Sequence, residues 1–322
     1  MLALLVVTVI AAVRSEDLFA AAVLFGIYSF LTAVLFMDLD AVDVAFTEAS
    51  VGAGVSTVLL LSTLRLTGRF QRKSRRSPVL PLLVVAMTGA ALVYGMLDVP
   101  RFGDPLAPAH THVAPRYVQE GMNETGVPNM VTGILASYRG YDTLGETIVV
   151  FTAALAVMML LGTRVRGGSS RGREAIGDLL VLRVVGKVLI SFILLFALYV
   201  QFHGDYGAGG GFQAGVIFAT GFIVYDLVFG EADGRRVMPH VQAERLIALG
   251  ILFYIGVGVV GMLLGSNFLD YSPLAHDPVH GQHLGILLVE FGIGVAVFGA
   301  VMSIFNAFSG LRLPTDNGQA DA

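Results

Sequence analysis

Three acidic residues, Glu48, Glu146 and Glu290, lie within long apolar stretches of this 322-residue chain. A charge at the centre of a bilayer costs about 2.5 to 3.5 kcal/mol on insertion scales, so such acids usually face a bundle interior and often belong to ion or proton paths. Burial favours the protonated form of a carboxyl group, whereas a nearby cation favours the ionised form. A single buried carboxylate can therefore exchange a proton for a cation.

Glu48 is followed at i+4 and i+8 by Gly52 and Ser56. In a helix these residues share one face, which then carries a carboxylate followed by small side chains. Such a face can pack closely against another helix or line a wet cavity. Two interpretations stay open: a proton or cation relay site, and a structural hydrogen bond near the outer interface.

Asp142 and Glu146 stand at i and i+4 at the start of another apolar segment. Two carboxylates on one helical face repel each other, which favours a shared proton and suits proton exchange. The alternative is that they answer the positive end of the helix dipole. That alternative is favoured for Asp142, so Glu146, one turn deeper, is the better candidate.

Glu290 has no other acid near it in the sequence, which favours a partner on another helix. Lys187 lies toward the cytoplasmic end of its own segment, so we expect it to extend to the membrane surface or to pair with a carboxylate on a different polypeptide. We expect Asp226, at the inner end of its segment, to be solvated. His280 and His283 at i, i+3 could bind a metal or a haem, but we expect a structural or solvated role and predict no metal or cofactor.

The composition places the chain among polytopic all-α membrane proteins. Hydrophobic residues make up 55% of it, charged residues only 14%, and the mean hydropathy is +0.77. One soluble core of this length could not bury so much apolar surface. The absence of cysteine excludes disulfides, thiolate metal sites and cysteine-bound iron-sulfur clusters. The lipid bilayer is the expected environment, and nucleic acid is not an expected partner.

Nine apolar segments are long enough, or nearly so, to cross a membrane. Most of the 20 Lys and Arg residues fall into alternate connections between them. The positive-inside rule then predicts an N-terminus outside and a C-terminus in the cytoplasm. The first segment is short for the roughly 20 residues that a crossing needs. The predicted segments are 1–13, 17–37, 41–64, 79–97, 142–162, 179–202, 212–230, 245–265 and 282–308.

Three connections between the segments have compositions of their own. The stretch 164–174 is rich in glycine, serine and arginine and predicts a linker, and the basic loop 65–77 makes a weaker break. The connection 98–141 ends in a short apolar piece that we interpret as a re-entrant or interfacial helix. A different kind of connection, the glycine triplet Gly209, Gly210 and Gly211 before Phe212, predicts a hinge, because glycine can take positive φ and lets two helix ends approach closely. A simple tight turn is the alternative.

The residues around this hinge resemble a known family. From Lys187 to Gly215 the chain is similar to the B subunit of Mrp-type multisubunit cation/proton antiporters, whose hinge typically reads G-H-x-x-P-G-G-G-F. The sequence departs from that pattern at Asp205 and Ala208, where the histidine and the proline would fall. His203 stands just upstream of the hinge.

Two further blocks carry the same resemblance. DVAFTEASVGAG, from Asp43 to Gly54, resembles the hydrogenase-D-like region in the C-terminal part of the large Mrp antiporter protein of type A, and Asn129 to Glu146 is similar to the E-like region that follows it there. The chain thus resembles the tail of that A-type protein fused to a B-type one. The regions expected from this resemblance are 1–77 (D-like), 78–166 (E-like), 178–310 (B-like) and a cytoplasmic tail at 311–322.

The resemblance implies a transporter component, not an enzyme, that helps to exchange Na⁺ for H⁺ in the cell membrane. The implied partners are the other Mrp proteins, namely the large antiporter-like A and D types and the small C, E, F and G types. Components of membrane-bound hydrogenases or other redox pumps, a self-sufficient transporter and a purely structural scaffold are alternatives. The positions that match the family's membrane charges are Glu48, Asp142, Glu146 and Lys187. Weaker site candidates are Asp43, His203, Asp205 and Asp226.

Overall fold

The computed structural model describes residues 1–64, 67–72, 77–161 and 180–309, and in these ranges the chain is helical without a β-sheet. Eight helices are long and apolar enough to cross a membrane, and a ninth, Leu2–Arg14, is apolar but shorter. The predicted fold class, an all-α polytopic membrane protein with a short first helix, is confirmed. The helices are α1 (Leu2–Arg14), α2 (Leu18–Asp38), α3 (Val42–Leu64), α4 (Val79–Met96), α5 (Pro108–Thr111), α6 (Ala114–Thr125), α7 (Met130–Gly133), α8 (Gly140–Leu161), α9 (Leu180–His203), α10 (Gly211–Phe229), α11 (Glu231–Val237), α12 (His240–Leu263) and α13 (Pro278–Ser309).

The C-terminal helices form a bundle around α13. In the most apolar stretch of this 32-residue helix, 67% of the residues are buried inside the protein. The helix packs against α10, α12 and α8. Glycines lie where the backbones touch. A Cβ placed on Gly250 would lie 2.5 Å from the carbonyl oxygen of Gly292, and one on Gly299 would lie 2.6 Å from that of Ala243. Such small residues allow the close backbone approach that holds helices together in lipid.

The N-terminal helices are covered far less by the chain itself. In the most apolar stretch of each helix, 17% of the residues are buried in α2, 11% in α3 and 0% in α4. The contacts that α2 does make are close, since a Cβ on Gly26 would lie 2.6 Å from Thr57 Oγ1 of α3. Lipid or another polypeptide must therefore cover most of this apolar surface.

Three of the helical paths are interrupted. In α3 the stretch Ala49–Ser56 is π-helical, and π-helical bulges often mark functional sites. The short helical piece expected at the end of the 98–141 connection consists of α7 and the π-helical turn Ile134–Tyr138, which directly precede α8. Its residues Thr132, Gly133 and Ala136 are buried against neighbours. Its re-entrant or interfacial character stays a prediction. The third interruption is the hinge between α9 and α10.

Some of the predicted segments lie outside the described residues. These are the linker at 164–174, the tail at 311–322 and the loop positions 65–66 and 73–76. The orientation of the termini stays a prediction from the distribution of basic residues.

Candidate proton and cation site at the hinge

The chain reverses direction between His203, the last residue of α9, and Gly211, the first of α10. Of the three consecutive glycines only Gly210 has a positive φ, of 108°. The other two are needed for space. A Cβ on Gly209 would lie 2.6 Å from the carbonyl oxygen of Val200, and one on Gly211 would collide with the backbone carbonyl of Glu290. The hinge is thus a tight turn that is also pressed against α13.

The carboxylate of Glu290 occupies the space between the two ends of the hinge. A Cβ on Gly204 would lie 3.2 Å from its Oε2, and a Cβ on Gly210 would lie 2.9 Å from its Oε1. The residue is 7% exposed. Glycines at both positions therefore leave room for a carboxyl group. The sequence favours a partner for Glu290 on another helix, and in the structure the backbone of the hinge lies next to its carboxylate.

Two more carboxylates face the same hinge from other segments. Asp43, in the first turn of α3, accepts hydrogen bonds at Oδ1 from the backbone N–H of Gly209 (3.3 Å) and from Asn129 Nδ2 (3.4 Å). Asp205, within the hinge, has its Oδ2 2.8 Å from Nε2 of His283. The charges of Asp43 and Asp205 both act on Glu290. Three acids that are far apart in the sequence therefore share one electrostatic environment.

Asn129 holds the hinge in this shape. Its Nδ2 donates to the carbonyl oxygens of Gly204 and Gly207, each at 2.9 Å, and its backbone N–H donates to the carbonyl of Asp205 at 2.9 Å. Thr132 Oγ1 also donates to the Gly204 carbonyl, at 2.7 Å. The start of the α7 segment therefore provides hydrogen-bond donors for carbonyl oxygens that a bent backbone leaves without partners.

Gln213, in the first turn of α10, joins the hinge to α3. Its Nε2 donates to Thr47 Oγ1 at 2.8 Å and to the carbonyl oxygen of Asp43 at 3.4 Å. The sequence alone indicates Asp43 only as a weak candidate and assigns no role to Gln213, Asn129 or Thr132. The one available signal is that Asn129 and Gln213 lie within two of the family blocks.

Tyr254 of α12 lies between two of the acidic positions. The residue is fully buried, its hydroxyl donates to the carbonyl oxygen of Gly140 at 2.7 Å, and the charges of Glu146 and Glu290 both act on it. Next to it, Tyr271 donates to the carbonyl oxygen of Ala136 at 3.1 Å. These two tyrosines anchor the start of α8 on the bundle that carries Glu290.

Comparison with known proteins identifies the family. Residues 181–303 match the family model described as "Domain related to MnhB subunit of Na+/H+ antiporter", and residues 3–69 and 73–171 match the models MbhD and MbhE, which describe the D and E components of MBH. A relative from Staphylococcus haemolyticus, "Putative antiporter subunit mnhB2", is 34% identical over 133 residues, which are 40% of this chain and 94% of that protein. The chain belongs to the Mrp/Mnh antiporter subunit family.

Two longer matches extend the likeness beyond the B-like region of this antiporter component. A probable K(+)/H(+) antiporter protein of the combined A/B type from Rhizobium meliloti is 27% identical over 94% of the chain, which spans 33% of that protein. A solved chain, "Structure of Mrp complex from Dietzia sp. DQ12-45-1b", matches 100% of this chain and 35% of its own length, with 28% identity and a TM-score of 0.74. The chain thus spans about a third of these two larger relatives.

A third match comes from a respiratory complex. A chain of "Structure of the membrane-bound sulfane sulfur reductase (MBS), an archaeal respiratory membrane complex" matches 70% of this chain and 96% of its own length. The identity is 28% and the TM-score 0.52. The same helical modules therefore occur in complexes named for different functions.

Glu48 lies apart from the hinge, on the face of α3 that packs against α2. A Cβ on Gly52 would collide with Glu48 Oε1 and would lie 2.8 Å from Ser29 Oγ of α2. The side chain is half-buried and stands where α3 changes from α-helical to π-helical. The small residues that follow Glu48 therefore do allow close packing against another helix.

Asp142 and Glu146 do not reach the hinge of this antiporter component. Asp142 forms an ion pair with Arg139, and both side chains are 54% exposed. Glu146, one turn later on α8, is exposed in the chain alone. The arrangement of Asp142 fits its alternative interpretation, a carboxylate at the beginning of a helix.

Lys187 and His203 lie far apart on α9. The Nζ of Lys187 is 5.9 Å from the ring centroid of Phe229, at the far end of α10 from the hinge. Sixteen helical residues separate it from His203, or about 24 Å. Lys187 therefore forms no direct pair with Glu290. His203 stacks on Tyr199, with 4.9 Å between ring centroids, and it is His283 that contacts Asp205.

The expectation for Asp226 is wrong. Instead of being solvated it is 7% exposed, because the chain turns at Gly230 and α11 folds back over the end of α10. A Cβ on Gly234 of α11 would collide with Asp226 Oδ1. The sequence of α10 alone could not show that α11 covers Asp226.

Two acids outside the spanning helices, Glu124 and Asp270, are held in their ionised form. The hydrogen bond from Tyr138 and the nearby Arg116 lower the pKa of Glu124. Burial and the same hydrogen bond raise the pKa of Tyr138 to about 12. Burial opposes the ionised form of Asp270, but hydrogen bonds from Ser266 and Ser272 outweigh it and lower its pKa. Glu124 and Asp270 line one cavity of about 490 Å³, which therefore carries negative charge at neutral pH.

Proposed function

We propose that this chain is a membrane component of a multisubunit monovalent cation/proton antiporter, with Na⁺ and H⁺ as the exchanged ions. In this proposal it lies in the cell membrane with its N-terminus outside, and the D-like, E-like and B-like regions are 1–77, 78–166 and 178–310. Its partners are the large antiporter-like proteins of types A and D and the small ones of types C, E, F and G. The names of the Staphylococcus and Rhizobium relatives support this proposal.

The observation that carries the proposal is the position of Glu48. Its carboxylate lies between two spanning helices, beside Ser29 and Gly52, at the start of a π-helical interruption. Polar atoms at an interrupted spanning helix are accepted where they line a wet path or a protein interior. A half-buried carboxylate there can exchange a proton for a cation. In this proposal Asp142, Glu146, Lys187 and Glu290 act in the same translocation path.

The test is transport by the whole complex in lipid vesicles. We expect Glu48→Gln to abolish the pH change that an imposed Na⁺ gradient drives in the unmodified complex. Glu120→Gln, which changes an exposed acid on α6 outside the spanning helices, should transport like the unmodified complex. Unchanged transport by Glu48→Gln would contradict the proposal and leave a scaffold role. Repeating the assay with K⁺ and Ca²⁺ gradients decides which cation is exchanged.

The likeness to the sulfane sulfur reductase chain favours a second candidate, a membrane component of a redox-driven pump. This chain has no cysteine, so cysteine-bound iron-sulfur clusters would have to come from partner chains. The chains that co-purify in mild detergent distinguish the two candidates. Antiporter-like partners without iron-sulfur motifs support the antiporter, whereas chains with such motifs support the pump.

A further inference from the structure

His283 and Asp205 form a pair that leads from the protein surface to its interior. The histidine side chain is 38% exposed and the aspartate side chain 7%, and His283 Nε2 lies 2.8 Å from Asp205 Oδ2. Histidine changes its charge between about pH 5 and 8. A side chain that can carry a proton and is open to the solution therefore contacts a carboxylate that is not.

The second oxygen of Asp205 has no hydrogen-bond partner. Its Oδ1 is buried without a donor in the part of the chain that the structure describes. A buried unsatisfied carboxylate oxygen costs about 1 to 3 kcal/mol or more. A proton or a water molecule would remove this cost. The side chains around Asp205 Oδ1 therefore do not provide the hydrogen-bond partner that a proton or a water molecule would supply.

The helix geometry of α13 sets His283 and Glu290 on one face. They are seven residues apart, which is about two turns and 10.5 Å along the axis. The hinge covers this face, because Asp205 contacts His283 while the adjoining Gly204 lies against the Glu290 carboxylate. The order from the surface inward is therefore His283, Asp205, Glu290.

The inner end of this row holds more acidic side chains than cationic ones. The carboxylates of Asp43, from α3, and Asp205 face Glu290, and the hydroxyl-bearing Tyr254 faces it from α12. Among the described residues, His283 is the one cationic side chain that pairs with any of the three acids. No group of three or more His, Asp or Glu side chains in the described ranges is arranged to hold a metal ion. Three neighbouring carboxylates with a single histidine can lower their repulsion by taking up a proton.

We propose that His283 and Asp205 form the entrance of a proton path that ends at Glu290. The imidazole takes a proton from the solution at the hinge end and, as imidazolium, passes it to the Asp205 carboxylate, which restores the neutral imidazole. The protonated Asp205 then passes it to the Glu290 carboxylate through a water molecule, and Asp205 is ionised again. This route deepens the proposed antiporter function and rests on it for its role in transport.

The neighbours of His283 on α13 offer matched controls. His280 lies one turn before it, is 79% exposed and pairs with Asp277, which directly precedes the helix. Toward α6, His283 packs beside Gly126, which carries no charge. His280→Gln therefore removes an imidazole from the same helix without touching Asp205, and Asp277→Asn removes a carboxylate that is paired with a histidine outside the path.

The first experiment measures cation-driven proton movement by the complex in vesicles, as a function of the pH at the hinge end. We expect His283→Gln and Asp205→Asn to lower the initial rate by a factor on the order of 100 or more. His280→Gln and Asp277→Asn should keep the unmodified rate and pH profile. The set of chains present after purification shows that each variant complex has assembled. Unmodified rates and pH profiles in both His283→Gln and Asp205→Asn would overturn the proposal.

The second experiment does not depend on transport. Infrared difference spectra of the complex, recorded during a pH change in H₂O and in D₂O, detect the C=O band of a protonated carboxyl group. We expect one such band to be absent in Glu290→Gln and to appear more slowly after a pH jump in His283→Gln. If the unmodified complex moves no cations but shows this behaviour, the antiporter function fails and the proton site stands. A spectrum that Glu290→Gln leaves unchanged would overturn the site even in an active antiporter.

Discussion

The hinge region and the N-terminal helices enclose their acidic side chains to different extents. Glu290 is 7% exposed within a bundle built by α9, α10, α12 and α13. Glu48 is half-buried between α2 and α3. Only 17% and 11% of the residues in the most apolar stretches of these two helices are buried. The chain by itself thus encloses Glu290 and leaves Glu48 partly uncovered. We infer that the environment of Glu48 depends on lipid or on partner chains.

The glycines at the hinge and those on α4 lie in different surroundings. Around Glu290, glycines at 204, 210 and 211 allow the hinge to lie directly on α13, so protein backbone replaces lipid. In α4, a Cβ on Gly89 or Gly95 would meet nothing within 4 Å. Glycine therefore marks close contact at the hinge and an uncovered surface on α4. Substitutions at glycines test this difference most directly.

The largest effect is expected for Gly211→Ala. The new methyl group would collide with the backbone carbonyl of Glu290, and neither backbone can move without disturbing the hinge. We expect the free energy of unfolding in detergent to fall by about 3 kcal/mol or more. Gly89→Ala on α4 should leave the stability of the isolated chain unchanged or slightly raised. Equal effects at the two glycines would remove the distinction between the regions.

Asn129→Ala is expected to have the next largest effect. The substitution leaves the carbonyl oxygen of Gly207 without its donor and the carbonyl of Gly204 with Thr132 alone. We expect a loss of about 2 to 3 kcal/mol in the free energy of unfolding. Faster amide hydrogen exchange at the hinge should accompany it. Asn123→Ala, at an exposed position on α6, is the control and should unfold like the unmodified chain.

Much of the fold and part of the site could be predicted from the sequence. The apolar segments, the hinge at Gly209 to Gly211 and the membrane acids Glu48 and Glu290 are local features, visible in composition and spacing. The hydrogen bond from Asn129 to Gly204 joins residues 75 positions apart, and the one from Gly209 to Asp43 joins residues 166 positions apart. No periodicity encodes such contacts. The pairing of His283 with Asp205 and the cover of Asp226 by α11 escape prediction for the same reason.

Removing the acidic group should affect stability more at Glu290 than at Glu48. Glu290 in its buried site must either take up a proton or bear the repulsion of Asp43 and Asp205, and Glu290→Gln removes both costs, so we expect a gain on the order of 1 kcal/mol in the stability of the isolated chain. Glu48→Gln changes a half-buried group next to Ser29, and we expect a smaller change. Chemical denaturation in detergent at neutral pH measures both. Destabilisation by Glu290→Gln would mean that the ionised carboxylate is needed to hold the hinge.

The smallest effect is expected at the surface ion pair of the N-terminal region. Arg69 donates to Asp17 at 2.7 Å and lowers the pKa of that carboxyl, but the two side chains are 64% and 24% exposed. A depressed pKa adds stability above the ordinary pKa of Asp, near 3.8, and this stability is lost as the pH falls through the folded-state value.

For Arg69→Ala we therefore expect an unchanged thermal midpoint at neutral pH, since exposed pairs are screened by water and salt. The pKa of Asp17 should return to its ordinary range, which a pH titration followed by NMR of labelled aspartate detects. The equivalent change at the hinge, His283→Gln, removes a neighbour from a buried carboxylate and should lower the thermal midpoint measurably. A shift as large for Arg69→Ala would show that the N-terminal helices depend on their surface ion pair as much as the hinge depends on its buried one.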